Sequence, residues 1–232
     1  VRIKAAAAGA LVALDVAPKK PGPLIKGLMD SVKAEENAEL QTRSSRSVAR
    51  LVHLFNLAER RGVADKIVRN LTNFYCVDTS ATPEFAPNYD VRRAILSLRK
   101  EEDRKDHPDA AKFAREAKDA RITRRGTKEA LDQLSAQFAD RLLDQCPALT
   151  AVMKDALTKV FEGEMPSEAK DPGNTLGQDV IDGMSILSAL TPKLDPALHP
   201  FVMSLLPYVV KALQSELSVF RYMAAKCLAS VC

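Results

Sequence analysis

The sequence predicts an all-α chain built as a HEAT/armadillo-like α-solenoid, with about five helix pairs plus an extra N-terminal helix. Three observations predict it. Apolar residues recur at helical rather than alternating spacing in one segment after another. The aliphatic share is carried by Ala, Leu and Val, with no Trp and only 5% aromatic residues, which suits close helix packing better than a β-sandwich. Pairing adjacent helices gives units whose starts are spaced irregularly, by roughly 40 to 50 residues, the range of HEAT and armadillo units.

Taken in order, the first element is an Ala-rich helix from Val1 to about Ala17, closed by the stretch Pro18 to Pro23. A unit begins near Pro23, because proline is tolerated in the first turn of a helix. Its later part carries Val48, Leu51, Val52 and Phe55 on one face, a buried stripe. After a break around Gly62, the next unit starts near Val63 and repeats the pattern with Ile67, Leu71 and Phe74. The stretches Thr79 to Asn88 and Asp106 to Pro108 precede a unit beginning near Asp109. Two more begin near Pro147 and Ala197, bounded by Gly163 to Thr175 and Pro192 to Pro196. In the last, Leu205, Leu206, Val209, Val210 and Leu213 form the stripe.

Two internal echoes favour repeats over an ordinary helical bundle, the alternative. Arg2-x-x-Ala5-Ala6 matches Arg221-x-x-Ala224-Ala225, an Arg at a helix start followed by small residues where a neighbour approaches closely. An apolar helix leading into Pro18-Lys19 and Pro23 matches one leading into Pro192-Lys193 and Pro200. The expectation is a single HEAT-repeat segment over 1–232, interrupted by a charged, mobile insertion around 100–125. A chain that opens in one helix and stops in another has the pattern of an excised fragment.

With 46% hydrophobic and 28% charged residues, the chain is a folded protein rather than a low-complexity one. Its formal net charge of +4 is too small to imply nucleic-acid binding unless concentrated on one face. Cys76, Cys146, Cys227 and Cys232 form no C-x-x-C pair, and His53, His107 and His199 stand at no zinc-ligand spacing from them, so buried reduced thiols are expected. The run Ala5 to Ala17 is too short to span a bilayer, is broken by Gly9 and Asp15, and lacks the form of a signal peptide. A cytoplasmic or nuclear protein with no membrane partner is expected.

Nothing resembles a phosphate-binding loop, an H-E-x-x-H pair, a Gly-x-Ser-x-Gly elbow or an Asp-rich calcium loop. The expectation is therefore no enzyme, no cofactor and no metal. His53 sits beside an apolar stripe as a structural histidine, and Glu35-Glu36 and Glu101-Glu102 read as solvated or helix-end acids.

The unusual stretch is Arg92 to Lys128, with 13 Lys or Arg against 7 Asp or Glu. Lys112 with Glu116 and Arg115 with Asp119 fall at i, i+4 and support a solvated helix. Arg121, Arg124, Arg125 and Lys128 are less easily neutralised, and form the candidate protein-docking patch for an acidic surface or phosphates. Without interleaved aromatic residues, direct nucleic-acid readout is not indicated. The loops Thr79 to Asn88 and Glu164 to Thr175 are expected to project from one edge.

Three stretches go beyond generic repeat patterning: PKKPGPLIKGLMDSVKAEENAELQTRSSRSVARLV, KEEDRKDHPDAAKFAREAKDARITRRGTKEAL and LDPALHPFVMSLLPYVVKALQSELSVFRYMAAKC. They resemble the HEAT-repeat region of the Mot-type TATA-box-binding-protein-associated factors, remodellers of the Swi/Snf ATPase superfamily, in a fungal version. The resemblance implies a nuclear, non-catalytic scaffold within an ATP-dependent protein that removes TATA-box-binding protein from promoter DNA. The implied partners are that protein and the ATPase domain of the same polypeptide, with DNA reached only through the parent complex. None of the family's ATPase motifs is present, nor its acidic latch, so no catalytic or contact residue transfers. The alternative is a generic HEAT adaptor for another protein or peptide.

Overall fold

The computed structural model describes residues 1–15, 19–86 and 108–231. Among them the chain is all-α, without a strand. The helices are α1 (Arg2–Ala13), α2 (Gly22–Ala34), α3 (Ala38–Leu57), α4 (Arg61–Tyr75), α5 (Ala110–Phe138), the one-turn α6 (Leu142–Gln145), α7 (Pro147–Phe161), α8 (Leu176–Leu190), α9 (His199–Leu213) and α10 (Ser218–Val231). Short 3₁₀ turns at Ala139–Arg141, Ser167–Ala169, Thr191–Lys193 and Pro196–Leu198 join some of them.

Local chemistry sets several of these limits. Pro23 stands in the first turn of α2, where its missing N–H costs nothing. Asn37 caps α3 by accepting from the Leu40 N–H at 3.1 Å, satisfying one of the donors a helix start leaves open. Asn174 does the same for the Leu176 N–H at 2.9 Å, just ahead of α8. The end of α3 is a Schellman turn: Arg60 N–H reaches back to the Phe55 carbonyl at 2.8 Å, with Glu59 at φ 56°.

The chain forms two compact units. The first comprises Val1–Tyr75, Ile122–Ala151 and Lys193–His199. In it α1 packs on α2 and α3, α2 on α3, and α3 on α4, an antiparallel series of the kind expected of stacked helix pairs. The apolar spacing seen in the sequence is the buried face: Val48, Leu51, Val52 and Phe55 from α3 meet Ile67, Val68 and Leu71 from α4 in the core, each no more than 2% exposed. Burial of each such side chain contributes about 2 kcal/mol. The C-terminal part of α5 adds Leu131 and Leu134 to the same core. It comes close because of Gly126, where an added Cβ would stand 1.9 Å from the Val32 carbonyl oxygen.

The second unit comprises Cys76–Arg121, Val152–Pro192 and Pro200–Cys232. Here α8 packs along α10, and Phe220 takes Phe85 and Phe161 against its ring at centroid distances of 5.6 and 5.7 Å. Residues 79–86 do not project as expected. Thr82 Oγ1 and Ser185 Oγ share a buried hydrogen bond of 2.7 Å, and the Phe85 N–H donates to Gln178 Oε1 at 2.7 Å, so this stretch lies down on α8.

Helix starts at Gly22, Arg61, Ala110 and Pro147 fall within two residues of the expected unit starts. The unit expected from Asp109 differs from a pair of full helices, being one helix of 29 residues followed by a 3₁₀ turn and α6. Of the charged insertion expected around 100–125, residues 100–107 lie outside the described residues, and residues from Ala110 onward belong to α5.

Candidate functional site

The four cations of the expected docking patch all stand on α5, at i, i+3, i+4 and i+7, and therefore on one side of it. Their surroundings differ. Arg121, in the second unit, is exposed and has no side-chain partner among the described residues. Arg124 turns into the first unit and lies over the end of α4, donating to the Tyr75 carbonyl at 2.9 Å and to the Tyr75 hydroxyl at 2.6 Å. Arg125 closes the end of α2: Nη2 donates to the carbonyls of Glu35 and Glu36 at 3.1 and 2.9 Å, and Nε to Gln41 Oε1 at 2.7 Å. Lys128 pairs with Asp132 on the next turn of α5, at 2.7 Å. Upstream, Arg115 reaches Asp119 at 3.9 Å, the i, i+4 pair expected there.

Arg124 and Arg125 follow a rule that recurs in the second unit. The last carbonyls of a helix have no intrahelical donor and carry the negative end of its dipole, so a cation there is stabilising, by about 0.3–2 kcal/mol depending on burial. Lys211 Nζ donates to the Phe161 carbonyl at 3.0 Å, at the end of α7. Arg221 Nη1 donates to the carbonyls of Ser215 and Glu216 at 2.6 and 2.8 Å, just beyond α9. The Arg2 and Arg221 echo of the sequence thus covers two different uses. Arg221 takes carbonyls, whereas Arg2 makes a forked ion pair with Glu35, Nε to Oε2 at 2.8 Å and Nη2 to Oε1 at 2.7 Å.

Sequence reasoning missed that fork, having read Glu35 as a solvated or helix-end acid. The side chain is 5% exposed. The Arg2 guanidinium first, and then the Asn37 N–H at 3.0 Å, hold its carboxyl well below the usual range, at about 2. Elsewhere burial pushes the Asp182 carboxyl upward, against hydrogen bonds from Gln178 and Cys76.

The remaining singled-out residues have structural surroundings. His53 meets the Phe138 ring edge-on at 5.7 Å between centroids. Cys146 and Cys227 are buried free thiols and Cys76 is half-buried. Burial, and then the charge of Asp65, pushes the Cys146 thiol up to about 12, far from nucleophilic. Among the described residues no three His, Cys, Asp or Glu side chains are grouped to hold a metal.

The comparisons with known proteins bear on the whole chain. Residues 1–152 match the family described as domain of unknown function DUF3535. The chain is 54% identical over its full length to a protein of Aspergillus fumigatus named TATA-binding protein-associated factor mot1, of which it covers 12%. It is 35% identical over 97% of its length to TATA-binding protein-associated factor MOT1 of Saccharomyces cerevisiae, again covering 12%. With TATA-binding protein-associated factor 172 of Homo sapiens the identity is 24% over 98% of the chain, covering 15% of the human protein. The chain therefore spans about an eighth of the curated relatives it matches. By its family match and its fungal relatives, it belongs to the DUF3535 family in the form found among the Mot1-type TATA-binding protein-associated factors.

Proposed function

We propose that this chain is a non-catalytic HEAT-type scaffold segment of a nuclear, ATP-dependent factor that removes TATA-box-binding protein from promoter DNA. The observation that carries this reading is the 54% identity along the whole chain to a protein named for its association with TATA-binding protein. The antiparallel packing of α1 to α4 supports the repeat assignment. TATA-box-binding protein kinks and unstacks its site, so its removal requires work to be delivered over a distance. Stacked helix pairs with a continuous core suit that task, being stiff enough to hold a partner in a fixed geometry relative to a motor.

Within this reading the docking patch on α5 is led by Arg121. Arg124 and Arg125 reinforce it with charge while holding the helix in place, and Lys128 stands beside them paired with Asp132. The ATPase domain of the same polypeptide is the surface it meets.

A titration of fluorescently labelled TATA-box-binding protein with the chain, near physiological salt and read by anisotropy, tests the partner. Saturable binding places a contact surface in this segment. No binding by the folded chain removes the partner contact and leaves a spacer. Arg121→Glu in the full-length factor is expected to lower ATP-driven release of TATA-box-binding protein severalfold. Unchanged release would make the patch ordinary surface.

A further inference from the structure

In the second unit, residues 78–86 lie across α8 and α10 as a bound peptide lies in a groove. Thr82-Pro83 disfavours a helix here, because the proline ring pushes the residue before it toward extended backbone, and residues 83–86 form neither helix nor turn. The groove holds the main chain. Gln178 on α8 accepts from the Phe85 N–H at 2.7 Å and donates to the Pro83 carbonyl at 3.4 Å, so one side-chain amide answers a donor and an acceptor of the backbone as a neighbouring strand would. Asp182, one turn further along α8, sets the direction of that amide by accepting from its Nε2 at 2.8 Å. The Lys226 ammonium group on α10 donates to the Ala81 carbonyl.

Two side chains anchor the stretch. The Thr82 hydroxyl meets Ser185, and the Phe85 ring lies against Phe220 and over Gly177, where an added Cβ would stand 2.8 Å from the ring. Glycine at that point of α8 leaves a hollow the size of a phenyl edge. Groove and occupant are separable, since α8 and α10 pack along one another directly. Of the stretch itself, Glu84 is exposed, Ala81, Phe85 and Ala86 are half-buried, and only Thr82 and Pro83 join Asp78 in being buried. A segment held by few apolar contacts, and by hydrogen bonds to side chains rather than to a ladder, belongs to the low end of local stability.

We infer that residues 78–86 are a detachable strap, a peptide ligand held in cis by a groove of α8 and α10 that recognises backbone polar groups through Gln178 and Lys226 and a phenyl ring through Gly177 and Phe220. Main-chain hydrogen bonds supply affinity in this mode of recognition, and the side-chain pocket supplies specificity. Its short tether keeps the strap at an effective concentration on the order of millimolar. The groove is therefore shut to other segments of the same pattern while the strap is down and open to them when it lifts.

The test uses the full chain and a fluorescein-labelled peptide of the strap sequence, residues 78–86, with a second peptide carrying the Phe85→Ala change. In the chain, Thr82→Ala with Phe85→Ala removes both anchors of the strap and leaves α8 and α10 unaltered. Anisotropy is expected to show saturable binding of the strap peptide to this double variant, at least about tenfold tighter than to the parent, whose own strap competes. The second peptide should bind the double variant at least about tenfold more weakly, and so should the strap peptide once Gly177→Leu is added to fill the phenyl hollow. Circular dichroism checks that each protein is folded. Equal binding by parent and double variant, indifference to the phenyl ring or to Gly177→Leu, or no binding by the folded double variant would overturn the inference. Hydrogen exchange read by mass spectrometry examines the parent without any substitution: amides of residues 78–86 are expected to exchange at least about tenfold faster than those of α8, through opening of the strap alone. Exchange of both at one rate would mean that the strap leaves only when the unit unfolds, and would overturn it as well.

Discussion

The guanidinium of Arg124 lies over the ring of Tyr75, 3.8 Å from its carbon to the ring centroid, while its two Nη groups donate to that residue's carbonyl and hydroxyl oxygens. Two residues 49 positions apart are thus joined three ways, and the end of α4 is fixed to the middle of α5.

Arg124→Ala should therefore cost about 2–3 kcal/mol, the loss of a partly desolvated cation–π contact and of hydrogen bonds from a charged donor. Arg124→Lys, which keeps the charge but not the planar fork, should recover less than half of this. Urea denaturation of the three proteins decides it. Equal midpoints would return Arg124 to the ordinary surface.

Gly126→Ala tests the approach of α5 to α2. The added methyl meets the Gln41 amide and, closer still, the backbone oxygen of Val32, which cannot swing aside, so neither helix yields cheaply. A loss of about 3 kcal/mol is expected, at the upper end for overpacking. A variant as stable as the parent would show that the two helices can separate freely.

Glu59→Gly acts in the opposite direction. Glu59 is exposed and occupies the left-handed position of the Schellman turn after α3, where glycine avoids a clash of about 1 kcal/mol that any side chain suffers. The substitution should raise the thermal midpoint, which calorimetry reads directly.

The Arg2 and Glu35 fork makes part of the stability depend on pH. Because the folded Glu35 carboxyl is held at about 2, below its ordinary 4.5, the contribution is complete above pH 4.5 and is lost as pH falls toward 2. Glu35→Gln should be less stable than the parent at neutral pH, and the two denaturation curves should converge through that acid window. A constant difference down to about pH 2 would mean that the fork is not what Glu35 supplies.

The helical class, the apolar faces and most helix starts were legible because each is local: a stripe at i, i+3, i+4 and i+7 or a proline in a first turn is read within one element. The role of Arg124 and Arg125 was not. Both were taken only as members of a protein-docking patch, since the carbonyls they serve lie 49 and about 90 residues earlier in the chain. A helix end advertises its need for a cation but not which cation will come. Gly126 was equally silent, because a helix-breaking residue and a contact point look alike until the neighbouring backbone is in view. The length of α5 followed from that, with no break where a second helix of a pair was expected.

The cations on helix ends also bear on sliding. Helices joined by aliphatic ridges alone can shift along one another by a turn, about 5.4 Å, and find much the same surface again. Arg125 on the carbonyls just past the end of α2, and Lys211 on the last carbonyl of α7, have no second place to sit, since a helix has only one C-terminal end. They act as detents that give each packed helix one axial stop, so a pull along the helices meets discrete resistance where a greased interface would creep.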